Sequence, residues 1–375
     1  SNINQDEDDS YQDWVEIRNN GATSVNLTDF GLTDDATMPF KWTFPNVSIG
    51  AGQYMLVWCS DKDRANAGEP LHTNFKLSSG GETITLTNAS GVTLNTVTTP
   101  AMLQNISYGR IPNGTGSFLF MNVVTPATAN GSVGYTEALT PPTFSQESGM
   151  LSAGFNLTLS TTVPGATILY TLDGSEPMAS NLGGTTYSYK NQYRQLNASQ
   201  ATGPLLTNSF RTFQYSTPLA IADRTSQPNK ISAISTTFAF NPTYLPSFPV
   251  FKGTVVRTKL IKAGALDSQT ETRTYYISPL STNRFSLPVL SLSIDENKLF
   301  DYNDGISVAG ADFENWRTAN PTTDATYEED NANYFRSGRD NERTANMTYL
   351  VNGVEVLNQN VGIRVHGGIS RSTRS

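Results

Sequence analysis

The chain of 375 residues holds one cysteine, Cys59, and two histidines, His72 and His366. A single thiol excludes an intrachain disulfide framework, CxxC redox chemistry and a cysteine-rich zinc site. Two histidines exclude a histidine-rich metal centre. Charged residues make up only 15 % and leave a net charge of −8. That balance, with no dense Lys/Arg cluster, argues against a nucleic-acid or anionic-membrane partner. No run approaches the roughly 20 apolar residues of a membrane span, and no leader segment is visible at the start. The usual catalytic strings are missing too. Gly50-Ala51-Gly52 and Gly114-Thr115-Gly116 lack a dinucleotide loop's third glycine, and no phosphate loop or HExxH is present. Ser370, in Gly368-Ile369-Ser370-Arg371-Ser372, misses the last glycine of a nucleophile elbow. Asp6-Glu7-Asp8-Asp9 offers carboxylates to calcium but lacks the later glycine and glutamate of an EF-hand loop, so a solvated loop is the simpler reading.

What fills the chain is Ser, Thr and Asn, with 29 Gly, 19 Pro and 10 % aromatics. This is the composition of short strands joined by polar turns. Apolar residues at 37 % suffice for real cores, and the length suits two or three domains. Alternation of apolar and polar residues predicts strands at 14–17, 41–44, 53–58, 82–87 and 93–97, in an antiparallel sandwich. A breaker-rich stretch, 131–142, reads as a linker. Beyond it, 155–159 and 166–171 alternate again, and Asp173-Gly174 marks a tight turn. The run 287–294 is an apolar strand, and Asp295-Glu296-Asn297 can cap a short helical turn into Leu299-Phe300. Strands follow at 347–351, 354–357 and 361–365, with Asn352-Gly353 as a hairpin turn. Cys59, Trp14 and Trp42 read as core residues.

Three resemblances follow from particular strings. Asp13-Trp14-Val15-Glu16-Ile17-Arg18-Asn19, Phe30-Gly31-Leu32-Thr33-Asp34-Asp35, Trp42-Thr43-Phe44-Pro45, the run from Phe75 to Glu82 and Ser107-Tyr108-Gly109-Arg110 resemble the lamin-tail domain over about 1–130. That resemblance implies an immunoglobulin-like sandwich, with the family's first strand lying ahead of Ser1. The run from Pro164 to Pro177, with 253–264 and Thr274-Tyr275-Tyr276-Ile277, resembles the chitobiase/hexosaminidase C-terminal sandwich module, spanning 143–278 with an insertion at 178–213. Leu287-Pro288-Val289-Leu290-Ser291-Leu292, Asn341-Glu342-Arg343 and the run from Gly362 to Arg371 resemble the N-terminal part of the CotH family of spore-coat-type atypical kinases, over 285–375.

The expected fold is therefore mainly β: two immunoglobulin-like antiparallel sandwiches in tandem, then a truncated α+β segment leaning on the second sandwich. The expected function is that of a non-catalytic spacer and recognition region of a secreted or surface-anchored bacterial multidomain protein, with a glycan or surface protein as partner and no catalytic residue. Tyr187, Tyr189 and Tyr193, aromatic in a polar insertion, are the candidate ligand-binding side chains. The competing reading makes the insertion an extra hairpin whose aromatics pack on the sandwich. The CotH resemblance implies an alternative, a kinase using ATP with Mg or Mn whose catalytic residues lie beyond Ser375. On that reading His366 and Arg371 contact nucleotide, whereas here no cofactor is expected. The ligand and the oligomeric state stay open.

Overall fold

A computed structural model describes residues 4–196, 200–242, 245–326 and 331–367. It is mainly β, with two α-helices, and divides into two compact units: 1–138 with 263–266, and 139–262 with 267–375. Among the described residues no helix is long and apolar enough to cross a membrane.

In the first unit the alternating run around Trp14 forms the strand Asp13–Arg18, antiparallel to Tyr54–Cys59, which pairs in turn with Leu71–His72. A second sheet runs Trp42–Thr43, Gly31–Thr33, Thr83–Thr87, Thr93–Thr98. Their inward residues, Leu32, Trp42, Phe44, Ile49, Val57 and Cys59, form the buried core. Trp42 meets Phe44 edge to face at 4.8 Å, and burial pushes the Cys59 thiol up to about 12. Both are the core residues their sequence setting suggests. A separate hairpin, Ser107–Ile111 with Ser117–Met121, completes the unit. Within the stretch read as a linker, Glu137–Ala138 pairs in parallel with Ala265–Leu266.

The second unit is organised by one eight-stranded sheet. Its order is Phe213–Gln214, Thr167–Thr171, Thr254–Ile261, Glu271–Ile277, Gly149–Leu151, Val354–Ile363, Arg343–Val351, Val289–Ser293. Leu169, Val256, Leu260 and Tyr275 are completely buried on it. Asp173-Gly174 makes its turn with Gly174 at φ +86°, a conformation that favours glycine. The three runs expected between 347 and 365 are two long strands, 343–351 and 354–363, joined at Asn352-Gly353 with φ of 52° and 77°. Two residues at positive φ are what a tight hairpin of this twist needs.

The segment from 285 onward does not lean on the second sandwich. Its strands extend the sheet, and the seam is narrow. Gly149 pairs with Val354, and the Met150 N–H donates to Gly353 O at 3.0 Å. A Cβ on Gly149 would come within 2.9 Å of that carbonyl. The Asn358 amide adds a bond to Thr272 O at 2.8 Å. Interior strand pairing protects amides from exchange. Backbone amides of 343–363 should therefore exchange as slowly as those of 254–277; fast exchange confined to 343–363 would show that the seam does not hold.

Candidate functional site

The acidic run near the start does not stand free in solvent. The buried Asp6 carboxylate accepts from Lys62 Nζ at 2.5 Å, and Asp8 accepts from Lys62 and Arg64 at 2.7 Å each. Glu7 accepts from Arg64 Nη1 at 2.6 Å and lies 2.8 Å from His72 Nε2. On the other side of that ring His72 Nδ1 lies 2.8 Å from the Ser60 hydroxyl. Serine, imidazole and carboxylate in a row resemble a nucleophile relay. Here His72 is fully buried and Ser60 is 5 % exposed, so no acyl substrate reaches the hydroxyl. The row works as a tie that fastens residues 6–8 to the loop 60–72. Among the described residues no group of three His, Cys, Asp or Glu is placed to hold a metal ion.

The three carboxylates titrate below their ordinary range. For Asp8 the Lys62 and Arg64 hydrogen bonds bring it down to about 2. For Asp6 and Glu7 burial works upward and is outweighed by hydrogen bonds, from Lys62 and from His72 and Arg64 among others. A depressed carboxylate stabilises the fold above its unfolded pKa, and the contribution is lost as pH falls through the folded value. Residues 4–12 should thus detach between about pH 4 and the Asp8 value of about 2. Amide exchange of this segment against pH checks it; exchange that stays slow down to pH 2 would refute it.

The candidate tyrosines belong to an extra hairpin, Thr185–Tyr189 with Leu206–Phe210. Tyr187 is buried with Phe210, Ile234, Phe300 and Val308, and Tyr189 packs half-buried against them. Tyr193 is fully buried with Phe238, Phe313 and Tyr334; its ring meets Phe313 at 5.5 Å and its hydroxyl accepts from Gly310 N–H at 3.0 Å. Tyr187 and Tyr193 therefore offer no ring face to a sugar, because both faces are spent on the core. Described residues of 296–326 and 331–335 contribute the other half of that core. The helix α1, Glu296–Phe300, and the helix α2, Gly310–Ala319, supply Phe300 and Phe313. Trp316 packs at the edge. Arg317, 2 % exposed, donates to the carbonyls of Gln195, Asn320 and Thr323. Lys190 is held by Glu314 and Thr202, each at 2.9 Å. His366 is exposed and outside any strand, and Arg371 lies outside the described residues.

The second unit holds a charge cluster that no sequence motif marks. Arg257, 3 % exposed, donates to Glu176 at 2.8 Å and to Gly174 O at 3.0 Å. Lys259 reaches Glu176 at 2.6 Å. Asp295 does not cap its own helix: its carboxylate accepts from the Glu176 N–H at 2.5 Å and lies 3.8 Å from Arg257. Burial pushes Asp295 and Glu296 up, while at Glu176 the Arg257 and Lys259 charges outweigh burial and hold it down. Glu296 is buried and paired with Lys230. The run from Asp173 to Glu176 was legible as a turn; its partners, more than 80 residues away, were not.

The first unit holds a groove of about 1000 Å³. Asp13–Arg18 and Ser107–Ile111 both line it, and it reaches the core residues Val15, Ile17, Leu32 and Leu86. None of the residues picked from the sequence as ligand-binding lies there.

The fold is that of a mainly β protein built of tandem β-sandwiches. Residues 1–101 match the family model described as Lamin Tail Domain, an immunoglobulin-like module, and residues 157–275 match the model described as Fn3 associated. No curated protein and no solved structure matches the chain.

Truncating Arg257 leaves Glu176 and Asp295 facing each other. Arg257→Ala should cost roughly 3 kcal/mol, the low end for breaking a buried pair, since the Glu176 side chain keeps 28 % exposure. Chemical denaturation of the intact chain measures it; a loss below about 1 kcal/mol, the worth of a surface pair, would show the cluster to be ornamental.

Proposed function

We propose that the chain is a non-catalytic accessory region, spacer and recognition modules together, of a secreted or surface-anchored bacterial multidomain protein. Its ligand is a glycan or a protein. The observation that carries this reading is the groove of the first unit, lined by apolar side chains such as Val15, Ile17, Leu86 and Tyr108 together with polar ones such as Asn95, Gln104 and Asn113. Concave, mostly apolar surfaces with a few polar groups are where proteins take up ligands. The matches to a Lamin Tail Domain and an Fn3-associated model support a modular, accessory role. The resemblance of 143–278 to the chitobiase/hexosaminidase C-terminal module points the same way. Burial of Tyr187 and Tyr193 moves the search for a glycan surface away from the insertion.

One observation favours the second reading, a part of a CotH-like kinase. Leu290, Leu292, Val354 and Leu357 are exposed, while Ser291 and Ser293, and Asn346 and Thr348 of the strand paired between them, are buried. A sheet that turns apolar residues outward is built to be covered by another layer. His366 and Arg371 would then contact ATP held with Mg or Mn.

Thermal shifts of the intact chain separate the two. Raised melting with members of a glycan array, and none with ATP plus Mg or Mn, is the expected result. A shift with ATP and metal alone would replace the accessory reading by the kinase one.

A further inference from the structure

Arg284 of the second unit is exposed, stands beside two aromatic rings, and makes no hydrogen bond or ion pair among the described residues. Its guanidinium carbon lies 3.9 Å from the centre of the Phe251 ring and 5.8 Å from that of Phe285. Phe251 in turn stacks on Tyr276 at 6.0 Å and 27°, and meets Phe285 at 6.0 Å. This group of rings is held in place. Tyr276 packs against Gly253, where a Cβ would come within 2.8 Å of its ring. Asn229 fastens the loop ahead of Phe251, donating to Phe248 O at 2.8 Å and accepting from Val250 N–H at 3.1 Å. Phe248 and Phe285 are exposed. Hydrogen bonds from the Thr225 hydroxyl and N–H, with the Arg284 charge adding a little, hold the Asp223 carboxyl below its usual range, yet Asp223 and Arg284 form no ion pair.

Each part of this patch asks for a different feature of a ligand. A guanidinium laid on a ring keeps a fork of N–H donors for an acceptor, and a carboxylate matches that fork with two parallel bonds. Stacking on Phe251 already restricts the side chain, so less freedom is lost on binding. Aromatic faces carry partial negative charge and attract the slightly positive C–H hydrogens of a flat aliphatic ring. The strand Glu271–Ile277, which carries Tyr276, is interior to its sheet, so it presents side chains and no open edge for a peptide to pair with. A sugar ring bearing a carboxylate supplies both features, a C–H face and an anion.

We propose that Arg284, Phe285 and Phe251 form a binding site for a glycan containing uronic acid, with the carboxylate on the Arg284 guanidinium and the pyranose C–H face on Phe285. Phe251 is the platform that positions the arginine. The proposal rests on the recognition reading above and adds to it a second place and a sugar class.

The test is isothermal titration calorimetry of the intact chain with trigalacturonate, its methyl ester and a hyaluronan tetrasaccharide. Both acids should bind one to one. The ester keeps the ring and loses the charge, so it should bind about tenfold more weakly, the worth of a charge-assisted hydrogen bond. Arg284→Gln should erase the preference for acid over ester, and Phe285→Ala should weaken both forms about fivefold. Both side chains are exposed, so a melting temperature near the parent's is the folding control, and the comparison of acid with ester needs no variant. Failure of both acids to bind, equal binding of acid and ester, or an acid preference that survives Arg284→Gln overturns the proposal. Tighter binding of a capped Glu-Gly-Glu-Gly-Glu peptide, equal in charge to trigalacturonate, also overturns it and assigns the patch to a protein partner. Glycan binding untouched by either substitution would overturn this site while leaving the recognition reading intact.

Discussion

The Arg257 guanidinium holds the second unit together. It sits on a central strand, 3 % exposed, and must be neutralised where it lies. Glu176 does so from the turn after Thr167–Thr171, and Asp295 does so from the segment that follows Val289–Ser293. One cation thus ties a turn near 175 to a helix near 296. Lys259 and Lys230 complete the balance by meeting Glu176 and Glu296. With α1 fixed by that tie, Phe300 and Val308 are delivered to the hairpin of the insertion.

The insertion and the tract 299–335 then explain each other. Each alone offers too little regular structure to close a core of its own: one hairpin in the insertion, one helix of ten residues in the other. Together, with Ile234 and Phe238 from the stretch between them, they bury Tyr187, Tyr193, Phe210, Phe300 and Phe313 in two clusters. Gly310, at φ +63°, lets Asn333 approach so closely that a Cβ would meet its amide at 2.2 Å. That amide in turn gathers the carbonyls of Tyr302, Asn303 and Gly305. Arg317 does the same for three loop carbonyls. Loops without secondary structure need such side chains to satisfy their buried backbone.

Strands with regular alternation were legible one by one: Asp13–Arg18, Tyr54–Cys59, Thr83–Thr87 and Thr167–Thr171 lie where the pattern put them. Turns with Asn-Gly or Asp-Gly were equally plain. The aromatic cluster of the insertion was visible as residues, yet its use was not, since a tyrosine ring looks the same in a polar string whether it faces a sugar or a core. The groove left no sequence signal at all. Its walls are ordinary core and strand residues, brought together from segments as far apart as 13–18 and 107–110.

Local chemistry decided what could be decided locally. Period-two alternation, turn residues, one thiol and two imidazoles determined a mainly β chain without disulfide or histidine-metal chemistry, because each of those properties depends on near neighbours or on counting. Only the tertiary structure decided which charges meet and which aromatics are covered. Those depend on pairs far apart in the chain, such as Glu176 with Asp295 or Tyr193 with Phe313, and burial that is shared between distant segments has no period for a sequence to display.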